Sequence, residues 1–376
     1  MKHKKIVISI NASWNIVNFR RGLIAGLQRS GYDVVALAPP DRYSERFEAL
    51  GVEYVPIEID KQGISPPRDL LLTARYYRAL RRLRPAVFLG YTAKPNVYGS
   101  LAAHALGIPV INNVAGLGTA FIKQGLLTRI VSGLYRLAFA RSATVFFQNR
   151  EDMEMFVAQR LVKAGQARLL PGSGIDLTQF RPASRSALPA PRPLTFLLVA
   201  RLLWDKGVGE YVEAARQVRA RFPDARFQLL GFLDVPNRTA VARSDLDRWI
   251  EQGAIEYLGE SDDVRPFIEA ADCIVLPSYR EGLPRVLLEG AAMAKPLIAT
   301  DVPGCRHVVE EGRNGYLCAV RDAGALAEAM SRMIGLDPEA RLAMGAAGRA
   351  RVEAEFDERI MVDRYLEAIA EALGSR

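Results

Sequence analysis

The sequence predicts an α/β protein built from two doubly wound, parallel-sheet domains. Three observations carry that expectation. Short apolar runs alternate with amphipathic helical stretches from one end to the other, the pattern of parallel strands covered by helices on both faces. A stretch dense in proline, glycine and serine, 171–193, interrupts the alternation near the middle and reads as a linker, after which the pattern restarts. The chain has 376 residues, room for two to three domains at about 150 residues each, with a full core in each of two.

In the first half, strands are predicted at Ile6–Ile10, Asp33–Ala38, Val52–Ile57, Ala86–Leu89, Pro109–Asn112, Thr144–Phe147 and Arg168–Leu170. Helices are predicted near Asn18–Arg29, Arg68–Arg84 and Phe121–Arg141. In the second half the strand runs are Leu194–Ala200, Arg226–Leu230, Ile255–Leu258, Cys273–Leu276, Leu297–Ala299 and Tyr316–Ala319. The chain ends in the helical pattern Asp357–Leu373. Domain boundaries follow at 1–175, 190–356 and 357–376.

Composition narrows the class. With 49% hydrophobic and 24% charged residues the chain is an ordinary globular protein. Cys273, Cys305 and Cys318 show no C-x-x-C spacing, so neither a zinc site nor a disulfide framework is expected. No secretory signal opens the sequence, and no uncharged apolar run approaches the ~20 residues of a membrane span. The expected location is the cytoplasm, at the inner face of the cytoplasmic membrane. Residues 1–185 hold 26 Lys and Arg against 12 Asp and Glu, a net +14, while the remainder is −6. A basic half beside an acidic half suggests that the first half meets an anionic partner.

Ligands of such sheets bind beyond the carboxyl ends of the strands. In the second half those ends carry Arg201 and Lys206 after the first strand, Gly231 after the second, Gly259 after the third, Glu281 and Gly282 after the fourth, and Asp301 after the fifth. Two cations, glycines and a carboxylate at one sheet edge suit a nucleotide diphosphate. The stretch Glu281-Gly282-Leu283-Pro284, with Glu289 further on, is the sharpest signal. Pro284 suits a first helical turn, whose free amides favour phosphate. Glu281 then reaches the group beyond the phosphates, and Glu289 can accept from a ribose diol. Two glutamates eight apart, or an Arg and a Lys after a strand, are by themselves ordinary surface charges. Their order at successive strand ends of one domain is what carries the reading.

These residues also carry a family resemblance. Arg201-Leu-Leu-Trp-Asp-Lys206-Gly, Leu276-Pro-Ser-Tyr-Arg-Glu-Gly-Leu-Pro and the Glu281–Glu289 spacing resemble the retaining glycosyltransferases of family 4, which have the GT-B fold: two Rossmann-like domains facing each other across a cleft. Asn113-Val-Ala-Gly-Leu-Gly-Thr-Ala-Phe and Gln124-Gly-Leu-Leu are similar to a bacterial branch that builds capsule, O-antigen or protein-linked glycans on polyprenyl diphosphate. The resemblance implies an acceptor-binding first domain, a nucleotide-sugar-binding second domain and a final helix that crosses back to the first. It implies that Arg201 and Lys206 bind the donor diphosphate in place of a metal, with Glu281 on the transferred sugar and Glu289 on the ribose. No cofactor beyond the nucleotide-sugar donor, a UDP-sugar, is implied. Two departures stand out: the first domain has no His in Asn112-Asn113-Val114-Ala115, and His307 stands where the family often has Glu.

The first loop, Ile10 to Arg20, lacks G-x-G-x-x-G and is a poor dinucleotide loop. Ala12 and Ser13 are small enough to let backbone approach a diphosphate. Asn15, Arg20, Asn113, Gly116 and Gly118 are acceptor-side candidates. In 68–84, Leu72, Tyr76, Leu80 and Leu83 share one helical face, and Arg75, Arg78 and Arg82 another. With Arg129 and Arg136 these arginines are candidates for a surface facing an anionic membrane.

The expected function is therefore retaining, metal-independent transfer of a hexose or N-acetylhexosamine from a UDP-sugar to a polyprenyl-diphosphate-linked sugar. The alternatives are a transferase using a soluble acceptor and a nucleotide-sugar 2-epimerase. A basic nucleic-acid-binding protein fits less well, for it would leave Glu281 and Glu289 unexplained and lacks the aromatic–basic interleaving of the known modules.

Overall fold

The computed structural model describes residues 4–60, 65–116, 126–182, 192–233, 237 and 239–374. The chain divides into two compact units, 1–174 with 358–376, and 175–357. The first holds β1 (Lys4–Ser9), β2 (Tyr32–Ala38), β3 (Glu53–Pro56), β4 (Val87–Tyr91), β5 (Val110–Val114), β6 (Thr144–Phe147) and β7 (Ala167–Leu169), in the order 3-2-1-4-5-6-7. The second holds β8 (Thr195–Val199), β9 (Arg226–Leu230), β10 (Glu256–Tyr257), β11 (Cys273–Leu276), β12 (Leu297–Thr300) and β13 (Gly315–Cys318), in the order 10-9-8-11-12-13. Every pairing is parallel. Both sheets thus share the doubly wound order 3-2-1-4-5-6, whose switch points lie at the carboxyl ends of β1 and β4 and of β8 and β11.

Each expected strand is present, and the inner ones are legible because a parallel strand buried on both faces is mostly apolar; β5 is the exception, with Asn112 and Asn113 buried in it. In the first unit Ile6 and Ile8 pack into one layer and Val7 into the other. Leu72, Tyr76, Leu80 and Leu83 of the helix Pro66–Leu83 are buried in that second layer, as their spacing predicts. The other layer is closed by the last helix, Glu358–Gly374, which buries Met361, Val362, Tyr365, Ala368, Ile369 and Ala372. It packs on the helix Arg21–Arg29. A Cβ on Gly26 would lie 2.3 Å from Val362 Cγ1, so the missing side chain is what lets these helices meet.

One expected element differs. The helix predicted near Asn18–Arg29 is two helices, Ser13–Phe19 and Arg21–Arg29, broken at Arg20 with φ −124°. The backbone ladder continues on either side, Arg20 N–H to Ile16 O and Ile24 N–H to Arg20 O. The cause is tertiary: at the break the Arg20 side chain turns inward and stacks 4.5 Å from the centre of the Tyr91 ring. Of the linker 171–193, residues 183–191 lie outside the described residues, as do 117–125, which include Gly118, Phe121 and most of the branch-like stretch.

Candidate functional site

The switch point of the second sheet gathers the strongest candidates. After β8 the chain passes Arg201 and makes a tight turn, Trp204–Lys206, that ends at Gly207 with φ +72°. A Cβ there would lie 2.1 Å from Pro277 O, so glycine is required for the turn to sit against the loop that follows β11. The two loops are fastened further by Tyr279 N–H to Asp205 O at 2.9 Å and by Ser278 Oγ to the same carbonyl. Lys206 Nζ then donates to Glu281 Oε1 in a close ion pair whose side chains are 22% and 13% exposed. Arg201 is exposed and makes no side-chain hydrogen bond or ion pair among the described residues. One cation is thus shared with a carboxylate and the other is open to a ligand.

Glu281 and Gly282 are held from a third strand end. Gly304, after β12, has φ +84°, and a Cβ on it would lie 2.4 Å from Gly282 O and 2.8 Å from Glu281 O. Thr300 at the end of β12 donates to Ser278 O. Leu283 packs on the core, and Pro284 is the N-cap of the helix Arg285–Ala292 rather than its first residue. Glu289 lies within that helix, buried, and accepts from Arg285 Nε at 2.8 Å. Burial raises its carboxyl above the usual range, and Arg285 offsets part of that rise. The pair has the i, i+4 spacing of a helical ion pair, a signal present in the sequence.

Gly231 and Gly259 are part of the framework at the ends of β9 and β10. A Cβ on Gly231 would lie 1.6 Å from Ala200 O, and its N–H donates to Gly259 O at 2.9 Å. Asp301 pairs with Arg306, and His307 is half-buried at the following turn. The three cysteines are buried thiols, with Cys318 pushed up to about 12 by burial.

In the first unit Ser13 and Trp14, just after β1, have partners within the chain. Ser13 Oγ donates to Pro39 O at 2.7 Å and accepts from Ser44. Trp14 N–H, in the first helical turn beyond Ala12, donates to Asp41. Asn113 is buried at the end of β5, donating to Tyr365 Oη at 3.0 Å and accepting from Gln148 Nε2 at 3.4 Å. Gly116 is exposed, with φ +144°. Tyr91, Tyr365 and Gln148, all near-neighbours of acceptor-side candidates, carried no signal in sequence.

Of the membrane-facing candidates, Arg78, Arg82, Arg129 and Arg136 are exposed. Arg75 corrects the expectation in part: it is half-buried and its guanidinium is committed to Glu58. Arg136 donates to the carbonyls of Gln159 and Arg160. Ile130 and Leu137 lie on the outer side of the helix Leu126–Phe139, at 44% and 60% exposure.

Two sheets of doubly wound order, one bearing a cation–carboxylate cluster at its switch point, define a GT-B chain. Residues 16–173 match the glycosyl transferase 4-like domain and residues 193–335 the glycosyl transferases group 1 domain, and the chain belongs to these glycosyltransferases. It is 28% identical to the N,N'-diacetylbacillosaminyl-diphospho-undecaprenol alpha-1,3-N-acetylgalactosaminyltransferase of Campylobacter jejuni, over 95% of this chain and 96% of that one. It is 23% identical to the UDP-Gal:alpha-D-GlcNAc-diphosphoundecaprenol alpha-1,3-galactosyltransferase of Escherichia coli, over 72% of both chains. Its fold matches a sucrose-phosphate synthase from Thermosynechococcus elongatus at a TM-score of 0.82 and 19% identity, over the whole of both chains.

Proposed function

We propose that this glycosyltransferase moves a sugar from a UDP-sugar to a sugar carried on polyprenyl diphosphate, with retention and without a metal. The observation that carries the reading is the convergence of Arg201, Lys206 and Glu281 on the switch point of the second sheet. Arg201 offers a fork to the donor diphosphate and Lys206 a point charge. Both cations sit where negative charge grows as the bond from the anomeric carbon to the diphosphate oxygen breaks. The acceptor hydroxyl oxygen bonds to the anomeric carbon from the same face, and its proton passes to the departing diphosphate. Glu281 accepts from hydroxyls of the transferred sugar and Glu289 from the ribose.

The acceptor class is supported by the two relatives, whose names specify diphospho-undecaprenol-linked substrates. The charge balance agrees: the first unit carries 27 Lys and Arg against 15 Asp and Glu, net +12. Among the described residues no helix is long and apolar enough to cross a membrane. Attachment to an anionic leaflet would then rest on surface charge and exposed apolar side chains.

The test is transfer by the full chain from a panel of UDP-, GDP- and TDP-sugars to a polyprenyl-diphosphate-linked sugar in excess EDTA, with the new anomeric centre read by NMR. Retained configuration at full rate is expected. Activity lost to EDTA and restored by magnesium or manganese would overturn the metal-free reading. An isomeric sugar formed from donor alone would indicate an epimerase instead.

A further inference from the structure

Arg20 is a buried cation without an anion. It is 5% exposed, and among the described residues no carboxylate pairs with it. Its Nη1 donates to Phe19 O at 3.2 Å, while Nε is buried with no hydrogen-bond partner. A guanidinium cannot shed its proton, and a buried charge is rarely left unpaired. The face of the Tyr91 ring, 4.5 Å away, offsets part of that penalty. It leaves the Nε–H donor unanswered.

Asn15 Oδ1, in the same region, is likewise buried and unpartnered, while the buried Tyr91 hydroxyl faces that of Tyr365. Tyr91 ends β4, and Asn15 and Arg20 follow β1, so all three stand at the carboxyl side of the two strands that bound the switch point of the first sheet. Tyr91 is backed by Tyr365 of the last helix, with ring centres 6.2 Å apart, and Tyr365 is tied to Asn113. The Arg20 guanidinium therefore sits on a packed aromatic backing.

We propose that Arg20 forms an anion subsite in the first unit that takes a phosphate group of a sugar diphosphate, with Asn15 accepting from an adjoining sugar hydroxyl. The guanidinium edge gives phosphate the forked geometry it binds best. Assignment of that phosphate to the lipid-linked acceptor rests on the function proposed above. The anion subsite itself does not.

Calorimetric titration of the full chain separates these statements. UDP is titrated first, then inorganic pyrophosphate into the UDP-saturated protein. If the subsite serves the acceptor, wild type takes up pyrophosphate on top of UDP. Arg20→Met then weakens that uptake at least about tenfold, Arg20→Lys weakens it less, and UDP affinity stays within about twofold. A parallel rise in KM for the lipid-linked acceptor in Arg20→Lys, with donor KM unchanged, fixes the source. If the subsite serves the donor, UDP affinity itself falls about tenfold in both variants. Loss of pyrophosphate uptake with neither KM changed identifies a free-phosphate site. Should wild type bind no UDP, the donor reading fails, and pyrophosphate is titrated alone with the same Arg20 dependence expected. If Arg20→Met does not fold, Arg20→Lys carries the test. Affinities for UDP and pyrophosphate that are unchanged in the variants, with only the melting temperature lowered, would overturn the proposal and leave Arg20 an anchor for the helix break.

Discussion

Lys206 donates to Glu281 across 75 residues of sequence, and this ion pair ties the loop after β8 to the loop after β11. With both side chains under a quarter exposed, removal of either partner strands a partly buried charge, at a cost of about 1–3 kcal/mol. Lys206→Ala and Glu281→Ala should therefore lower the melting temperature and reduce turnover at least about a hundredfold. The neutral pair Lys206→Met with Glu281→Gln should regain most of the stability and none of the turnover. Recovery of turnover along with stability would show the pair to be a structural tie only. Arg201→Ala, which breaks no side-chain hydrogen bond or ion pair among the described residues, should lose turnover with the fold unchanged.

Glu289 gives a pH signature with two opposite signs. Burial raises its pKa, so the stability linked to it is fully present below the usual glutamate range and is lost as pH rises through the raised value. The ribose contact proposed for Glu289 runs the other way, because a diol would need the ionised carboxylate as acceptor. UDP affinity should fall as pH drops through that same window, even as the fold gains stability. Glu289→Gln should flatten both profiles and weaken UDP binding about tenfold at pH 7. Calorimetry and thermal melts from pH 4 to 8 (an ordinary working range for carboxyl titration) read the two signs separately. A UDP profile that keeps its slope in Glu289→Gln would remove Glu289 from the ribose site.

Gly304 positions Glu281 from outside the motif. Alanine there meets both a left-handed backbone and Gly282 O at 2.4 Å, and the strain alone is roughly 1–2 kcal/mol. Relief requires the Glu281–Gly282 backbone to move. Gly304→Ala should cut turnover about tenfold or more, since small displacements of positioning groups are amplified in rate, while the fold persists at a modestly lower melting temperature. Turnover equal to wild type would show that Gly304 does not govern the placement of Glu281.

Most strands are legible because burial on both faces favours an apolar run, as in Phe196–Leu198 of β8. The site's strand-end order was legible for the same reason: Arg201, Lys206 and Glu281 each follow a recognisable strand. What the sequence could not show was which groups are already engaged. The Ser13 hydroxyl bonds Pro39, and Arg75, expected on a surface facing an anionic membrane, is committed to Glu58. The helix break at Arg20 has no proline or glycine at its centre. Its cause is the ring of Tyr91, a contact between distant positions, and tertiary contacts of that kind override local propensity.

The membrane prediction shifts accordingly to the arginines that are exposed. On the helix Pro66–Leu83, Arg78, Arg81 and Arg82 face solvent, and Leu70 and Leu71 near its start are 74% and 47% exposed. Basic side chains near an anionic leaflet contribute about 1 kcal/mol each, so the three together amount to about a hundredfold in partition. Salt screens that attraction within about 10 Å at 0.1 M, whereas insertion of Leu70 and Leu71 is less sensitive to salt. The protein should therefore pellet with vesicles containing anionic lipid at low salt and be partly released at high salt. Arg78→Glu with Arg81→Glu and Arg82→Glu should abolish most of the low-salt binding and leave UDP affinity intact. Arg75→Glu alone should have a smaller effect on vesicle binding, since Arg75 is already neutralised by Glu58, and should instead destabilise that contact. Leu70→Ser with Leu71→Ser should weaken the residual, salt-resistant fraction. Equal partition onto neutral and anionic vesicles, together with faster transfer to a soluble sugar than to the lipid-linked one, would move the acceptor from the membrane to solution.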